Sequence, residues 1–170
     1  AGPSFHAGMV AKYAIEHWCR IPVEVELASE FRYRDPILTS DTLVVAISQS
    51  GETADTLQAI RHAREQRSKV LSICNTNGST IPRESDGVIY THAGPEIGVA
   101  STKGFLTQLV ACYLLALYLA QVKGTRYGDE IAELMDQLDH MPAHIEAVLE
   151  KSEEVYALAS DHVESRSVLF

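Results

Sequence analysis

The chain has 170 residues, 46% hydrophobic and 22% charged, a balance that suits one globular domain with a real core rather than a disordered polymer. A formal net charge of -9 argues against nucleic acid or an acidic membrane as a partner, because both would be repelled at long range, while a single small phosphate in a neutral pocket stays allowed. Three widely spaced cysteines in apolar surroundings, Cys19, Cys74 and Cys112, predict buried free thiols in a reducing compartment, the cytoplasm, and no basic-then-apolar leader opens the chain.

In chain order, Ser4 precedes a helical period over residues 5–20, with Met9, Val10, Tyr13, Ala14, His17 and Trp18 expected on one buried face and Ile21-Pro22 as its end. Val23, Val25 and Leu27 alternate with Glu24 and Glu26, which predicts a short strand with one polar face. Residues 42–47 form a nearly continuous β-branched run, as in a strand covered on both sides. A helix is predicted over 52–66, a strand over 69–74, a short helical turn around Pro82 and a further strand over 87–91.

A loop over 94–101 leads into the most apolar stretch, 105–122. Thr107 and Gln108 interrupt it, and it falls short of the roughly 20 residues that span a bilayer, so it reads as a buried or interface helix ended by Gly124. Beyond Asp129 follow amphipathic segments at Ile131, Leu134, Met135 and Leu138, at Ile145, Val148 and Leu149, and around Val155, Leu158 and Val163. The alternation of strands and helices up to that point predicts an α/β fold with a parallel sheet.

The residues with most chemical content are Ser48-Gln49-Ser50-Gly51-Glu52-Thr53, a turn between a strand and a helix. A helix start leaves about four N–H groups unpaired and carries roughly half a positive charge, so this turn suits a phosphate without any Lys or Arg. It equally suits Ser50 as an ordinary cap and Gly51 as a turn residue. The spacing of a Walker A loop is absent, and neither Ser48 nor Ser50 has the glycines of a nucleophile elbow, which argues against nucleotide hydrolysis and serine hydrolysis.

His140 and His144 are spaced for one helix face, but Pro142 between them predicts a break and no metal site. At Ser101-Thr102-Lys103 a serine again precedes a long helix. Lys103 would oppose the helix dipole in the first turn, so a pairing with Glu96 is expected.

Residues 48–56 (SQSGETADT), preceded by 24–34 (EVELASEFRYR) and followed by 96–103 (EIGVASTK), closely resemble the glutamine:fructose-6-phosphate aminotransferase family, the glucosamine-6-phosphate synthases. The likeness covers essentially the whole chain and corresponds to the first of that family's two sugar-isomerase (SIS) subdomains. It implies a three-layer α/β/α sandwich with a parallel flavodoxin-like sheet, whose ligand sits beyond the carboxyl ends of the strands. The implied division is 1–125 for the phosphosugar-binding subdomain, 126–166 for a helical connector and 167–170 for the opening of a second SIS subdomain.

By the same resemblance, Ser48, Gln49, Ser50 and Thr53 hold the phosphate of a hexose 6-phosphate (fructose 6-phosphate or glucose 6-phosphate), and Val99 and Ser101 contact the sugar. Ser4 lies where the family has a Cys-Gly-Thr-Ser turn, but this chain reads Ala1-Gly2-Pro3-Ser4, and Pro3 supplies neither N–H nor hydroxyl. The family's glutaminase domain, its second SIS subdomain with the acid/base carboxylate and ring-opening histidine, and its Schiff-base lysine are not in these residues. The expectation is therefore binding without catalysis, no cofactor and no metal, in a homodimer. A phosphosugar-sensing regulatory module and a stand-alone phosphosugar isomerase are the alternative functions. In the flavodoxin-like strand order 2-1-3-4-5 the first strand would precede residue 5, so its slot is expected to be filled by residues 167–170, pairing between the strands at Val23 and Thr42.

Overall fold

The computed structural model describes residues 2–98 and 100–167. It contains two compact units, Ala1–Tyr127 and Gly128–Phe170.

In the first unit, helix α1 spans Pro3–Cys19. Proline is well placed at a helix start because its fixed φ is already helical and its missing N–H would have no partner there. The helix thus begins before the predicted start, Ser4 lies inside its first turn instead of preceding it, and the buried face is Ala7, Ala11, Ala14, Ile15 and Cys19, with Met9 and Tyr13 exposed rather than covered as expected. Gly2 stands at the cap with φ 87 and accepts from Phe5 N–H at 3.0 Å. Residues 20–27 form no strand, which corrects the expectation from the Val23–Leu27 alternation. A strand needs a hydrogen-bonded neighbour, and here the Val23 N–H donates to Glu16 Oε1 at 3.0 Å instead of to another strand. A short helix that the sequence did not announce, α2 (Ala28–Arg34), follows and packs on the next helix through Phe31 and His62, with rings 6.3 Å apart.

Strands β1 (Leu43–Ser48), β2 (Lys69–Cys74) and β3 (Gly87–Tyr90) form a parallel three-stranded sheet in the order β1-β2-β3. The register pairs Leu43 with Lys69 through Ser48 with Cys74, and Leu71 with Gly87 through Cys74 with Tyr90. The order agrees with the last three strands of the 2-1-3-4-5 arrangement. The expected pairing of residues 167–170 lies outside the described residues except for Ser167, which is in no strand.

Helix α3 (Ala54–Glu65) and the one-turn α4 (Thr80–Glu84) cover one face, where Ala46, Ile60, Ala63, Val70 and Ile81 are buried together. Helix α5 (Lys103–Lys123) covers the other with α1, burying Ile15, Cys19, Ile73, Cys112, Leu115 and Ala116. The alternation of Val44 and Ala46 toward one layer with Val45 and Ile47 toward the other is what the strand's near-continuous apolar run requires. The result is the expected α/β/α sandwich.

α5 is longer than the sequence run suggested. By length and composition it could cross a membrane, yet its buried residues from Gln108 to Ala120 pack on α1 and the sheet. Gly124 ends it at φ 71 in a Schellman arrangement, with Gly124 N–H to Gln121 O and Thr125 N–H to Ala120 O. All three cysteines are buried and unpaired.

The second unit holds α6 (Gly128–Asp139), α7 (Met141–Leu149) and α8 (Ser152–Asp161), none with a buried residue. The break falls at His140, and Pro142 is accommodated in the first turn of α7, where it breaks no hydrogen bond. His140 Nδ1 lies 2.7 Å from Asp136 O. No group of three His, Cys, Asp or Glu side chains able to hold a metal stands together among the described residues.

Candidate functional site

Helix starts converge at the carboxyl edge of the sheet. α3 begins directly after the turn that leaves β1. Gly104, in the first turn of α5, lies so close to the Gln49 side chain that a Cβ there would stand 3.0 Å from Gln49 Oε1. Gly8 of α1 faces Val25 and Ile47, while at the opposite ends Cys19 Sγ donates to Ala116 O and Lys123 Nζ to Arg20 O, both at 3.1 Å. α1 and α5 therefore run side by side, both starting at the edge where β1 ends.

The turn itself is built from its own polar groups. Ser48 is buried, and its Oγ accepts from Gly51 N–H at 3.1 Å. Ser50 is exposed, and its Oγ accepts from Glu52 N–H at 3.2 Å. Both hydroxyls keep their protons available for an anion. Gly51 has φ 68, and a Cβ there would meet Ser79 Oγ at 2.0 Å and Cys74 Sγ at 2.8 Å, so only glycine fits.

The turn is also tied to α4. Ile81 N–H donates to Gly51 O at 2.9 Å, and Thr80 N–H donates to Glu52 Oε1 at 2.7 Å. These bonds hold the Glu52 carboxylate at the start of α4 and below its usual pKa, mainly through Thr80. At the start of α3, Thr53 occupies the cap position exposed, and no side chain caps the helix. The amides and positive end of α3 are left open.

The second loop is organised by Glu96. Its Oε1 accepts from Thr102 N–H at 2.7 Å, Gly104 N–H at 3.2 Å and Thr102 Oγ1 at 3.2 Å, and its Oε2 accepts from Ser101 Oγ at 3.0 Å. Those bonds, Thr102 N–H foremost, lower its pKa. The expected pairing of Lys103 with Glu96 is thus replaced: the carboxylate turns to the unpaired amides at the start of α5, which offer directed donors that a flexible ammonium does not. Asn75, just after β2, ties down the start of this second loop, accepting from Ala93 N–H and donating to Gly94 O, each at 2.8 Å.

Of the predicted site residues, Ser48, Gln49, Ser50 and Thr53 share the turn, and the Gln49 side chain reaches Gly104 beside the Ser101 loop. Ser4 lies half-buried in the first turn of α1. Val99 lies outside the described residues. Sequence reasoning missed the capping role of Glu96 and the anchoring role of Glu52. Glu96 precedes its amide partners by six and eight positions, where no capping-box pattern points to it. Concavities lined by Glu16, Arg20, Ile21 and Pro22, and by Arg64, Arg67, Ser68, Lys69 and Asp86, lie at the opposite edge, at the ends of α1 and α3.

A family model described as SIS domain matches residues 1–118. The glutamine--fructose-6-phosphate aminotransferase [isomerizing] of Streptomyces coelicolor is 68% identical over 169 residues, 99% of this chain and 28% of that protein. The chain therefore spans less than a third of that relative's length. Among solved structures, the C-terminal domain of glucosamine-fructose-6-phosphate aminotransferase from Francisella tularensis superposes with a TM-score of 0.94 at 42% identity, over 96% of this chain and 47% of that one. A glucosamine-6-phosphate deaminase from Thermotoga maritima, 22% identical with a TM-score of 0.67 over 79% of this chain and 41% of its own, shares the fold.

Proposed function

This chain belongs to the SIS domain family, and from that premise we propose that it is the hexose 6-phosphate-binding part of a glutamine:fructose-6-phosphate aminotransferase, the activity that makes glucosamine 6-phosphate. The observation that carries the reading is the open start of α3: an uncapped helix N-terminus facing a turn whose hydroxyls have protons to donate. A phosphate there meets Ser48, Ser50, Thr53 and the amides of the first turn, which together satisfy an anion without a cation. In this reading Gln49 joins them at the phosphate, while Ser101 and Val99 contact the sugar and Ser4 lies on the same edge. The protein is cytoplasmic in this reading, and residues 126–166 connect to a second SIS subdomain.

The chain's part is binding rather than proton transfer. Moving a proton between sugar carbons needs a free base within hydrogen-bond reach. Glu52 is held by Thr80, and Glu96 accepts four hydrogen bonds that lower its basicity. Neither serves as that base. A hydrogen bond to a charged group contributes about 1.5–3 kcal/mol, so Ser50→Ala weakens fructose 6-phosphate roughly 10- to 150-fold by calorimetry. Equal affinity of the variant and the parent chain would remove the turn from the site.

A further inference from the structure

The segment that follows β2 holds the serine-rich turn from outside. Gln49 O accepts from Thr76 Oγ1 at 3.3 Å, Gly51 O from Ile81 N–H at 2.9 Å and Glu52 Oε1 from Thr80 N–H at 2.7 Å. The first two ties use main-chain carbonyls, which any sequence would supply. The third uses the Glu52 side chain, and Arg83, which donates to Thr80 Oγ1 at 3.1 Å, adds its positive charge beside it. Glu52 also donates its own N–H to Ser50 Oγ at 3.2 Å and directly precedes Thr53 at the cap of α3. Its main chain therefore belongs to the turn, while its side chain belongs to the brace. A carboxylate beside an anion-binding turn repels the anion, and a neutral residue would spare the site that repulsion. Any benefit of Glu52 to binding has to come from its bond and not from its charge.

From this we propose that Glu52 is a positioning residue: its bond to Thr80 N–H fixes residues 50–53 in the arrangement that receives the phosphate, and it acts through that bond and against its own charge. Without the bond, Glu52 and Thr53 regain backbone freedom that binding must then remove, so affinity falls. The inference rests on the phosphosugar reading above and adds to it a residue that acts without touching the ligand.

The test measures fructose 6-phosphate affinity by calorimetry on the parent chain, Glu52→Gln, Glu52→Ala, Thr80→Pro and the Glu52→Ala, Thr80→Pro double variant, with amide NMR spectra establishing that each is folded. Glutamine and alanine remove the same charge, but only glutamine keeps an oxygen for Thr80 N–H, so the two separate the bond from the charge. Thr80→Pro removes the donor from the other side, at the first position of α4, where proline fits. Glu52→Ala and Thr80→Pro are each expected to weaken binding at least about fivefold, and Glu52→Gln to bind at least as tightly as the parent chain. The double variant is expected to lose no more than about twofold beyond either single one, because both remove one bond. Parent-like affinity in Glu52→Ala, a Glu52→Gln as weak as Glu52→Ala, or single losses that multiply in the double variant overturn the role of Glu52. If Glu52→Ala does not fold, Thr80→Pro set against Glu52→Gln decides on the same terms. Absence of any binding by the parent chain overturns the phosphosugar reading itself, and the inference with it.

Discussion

Gly51 is the residue at which the turn is least tolerant of change. Its φ of 68 lies in the left-handed region, and Ser79 and Cys74 close the space that a side chain would need. The left-handed conformation costs an alanine about 1–2 kcal/mol and the forced repacking about 1–3 kcal/mol more, so Gly51→Ala is expected to lower stability by about 2–5 kcal/mol. Urea unfolding measures this directly, and a loss under about 1 kcal/mol would mean that Ser79 yields freely. The hydroxyls and the glycine of this turn were visible in the sequence because strand, glycine and helix are adjacent in the chain. The crowding by Ser79 and Cys74 was not, since those residues come from the far end of β2 and the loop beyond it.

At the scale of elements, legibility followed the strength of the local pattern. β2 matches its predicted bounds because an apolar run lies between two turn signals, and the end of α5 was readable from Gly124 alone. α2 escaped notice because Phe31 is the only large apolar residue among ASEFRYR that it lays on α3; Arg34, bonded to Glu24 and Glu26, fastens its end. Residues 23–27 had the alternation of a strand, but pairing is a property of neighbours, and no local pattern reports whether a neighbour is there. The caps supply a pH test.

Glu96, held by Thr102 N–H, Glu52 by Thr80, Glu84 by Arg61 and Asp86 by Val70 N–H all have lowered pKa values. A carboxylate depressed on folding stabilises above its unfolded pKa of about 4, and that contribution is lost as pH falls through the folded value, because the unfolded chain then takes up more protons. Stability is therefore expected to fall from about pH 5 downward, and Glu96→Gln to reduce the acid slope. Urea midpoints measured from pH 7 to pH 3 check this, and an identical slope in the variant would show that Glu96 gains nothing from its bonds.

At the scale of the whole molecule, the sandwich was readable from alternating strands and helices, and the motifs ordered along the chain pointed to the family and marked a candidate site on the sheet. On the proposed reading, with Glu52 and Glu96 both engaged in hydrogen bonds, the chain binds without turnover: fructose 6-phosphate and ammonium are expected to yield no glucosamine 6-phosphate above the blank. Protein-dependent product that survives repurification would favour a stand-alone isomerase.

The same scale bears on assembly. α5 buries Gln108, Ala111, Cys112, Leu115, Ala116 and Ala120, yet carries a second apolar row, Leu106, Val110, Leu114, Tyr118 and Val122, at four-residue spacing and 37–69% exposed. α1 adds Met9 and Tyr13, the latter 70% exposed. An apolar row of this length on the surface is expected to meet another polypeptide, since large exposed apolar patches are rare on monomers. For the chain alone in solution, a second copy is the available partner, and two-fold pairing would let each row cover its counterpart. Sedimentation is expected to show concentration-dependent dimerisation, weakened at least about tenfold by Leu114→Glu combined with Tyr118→Glu, because a charge opposite its own copy is both desolvated and repelled. Both side chains are on the exposed side of α5, so the variant keeps the core of Ile15, Ile73 and Leu115 and remains a fair test. A parent chain that stays strictly monomeric at high concentration would show that water, not a second copy, covers this row.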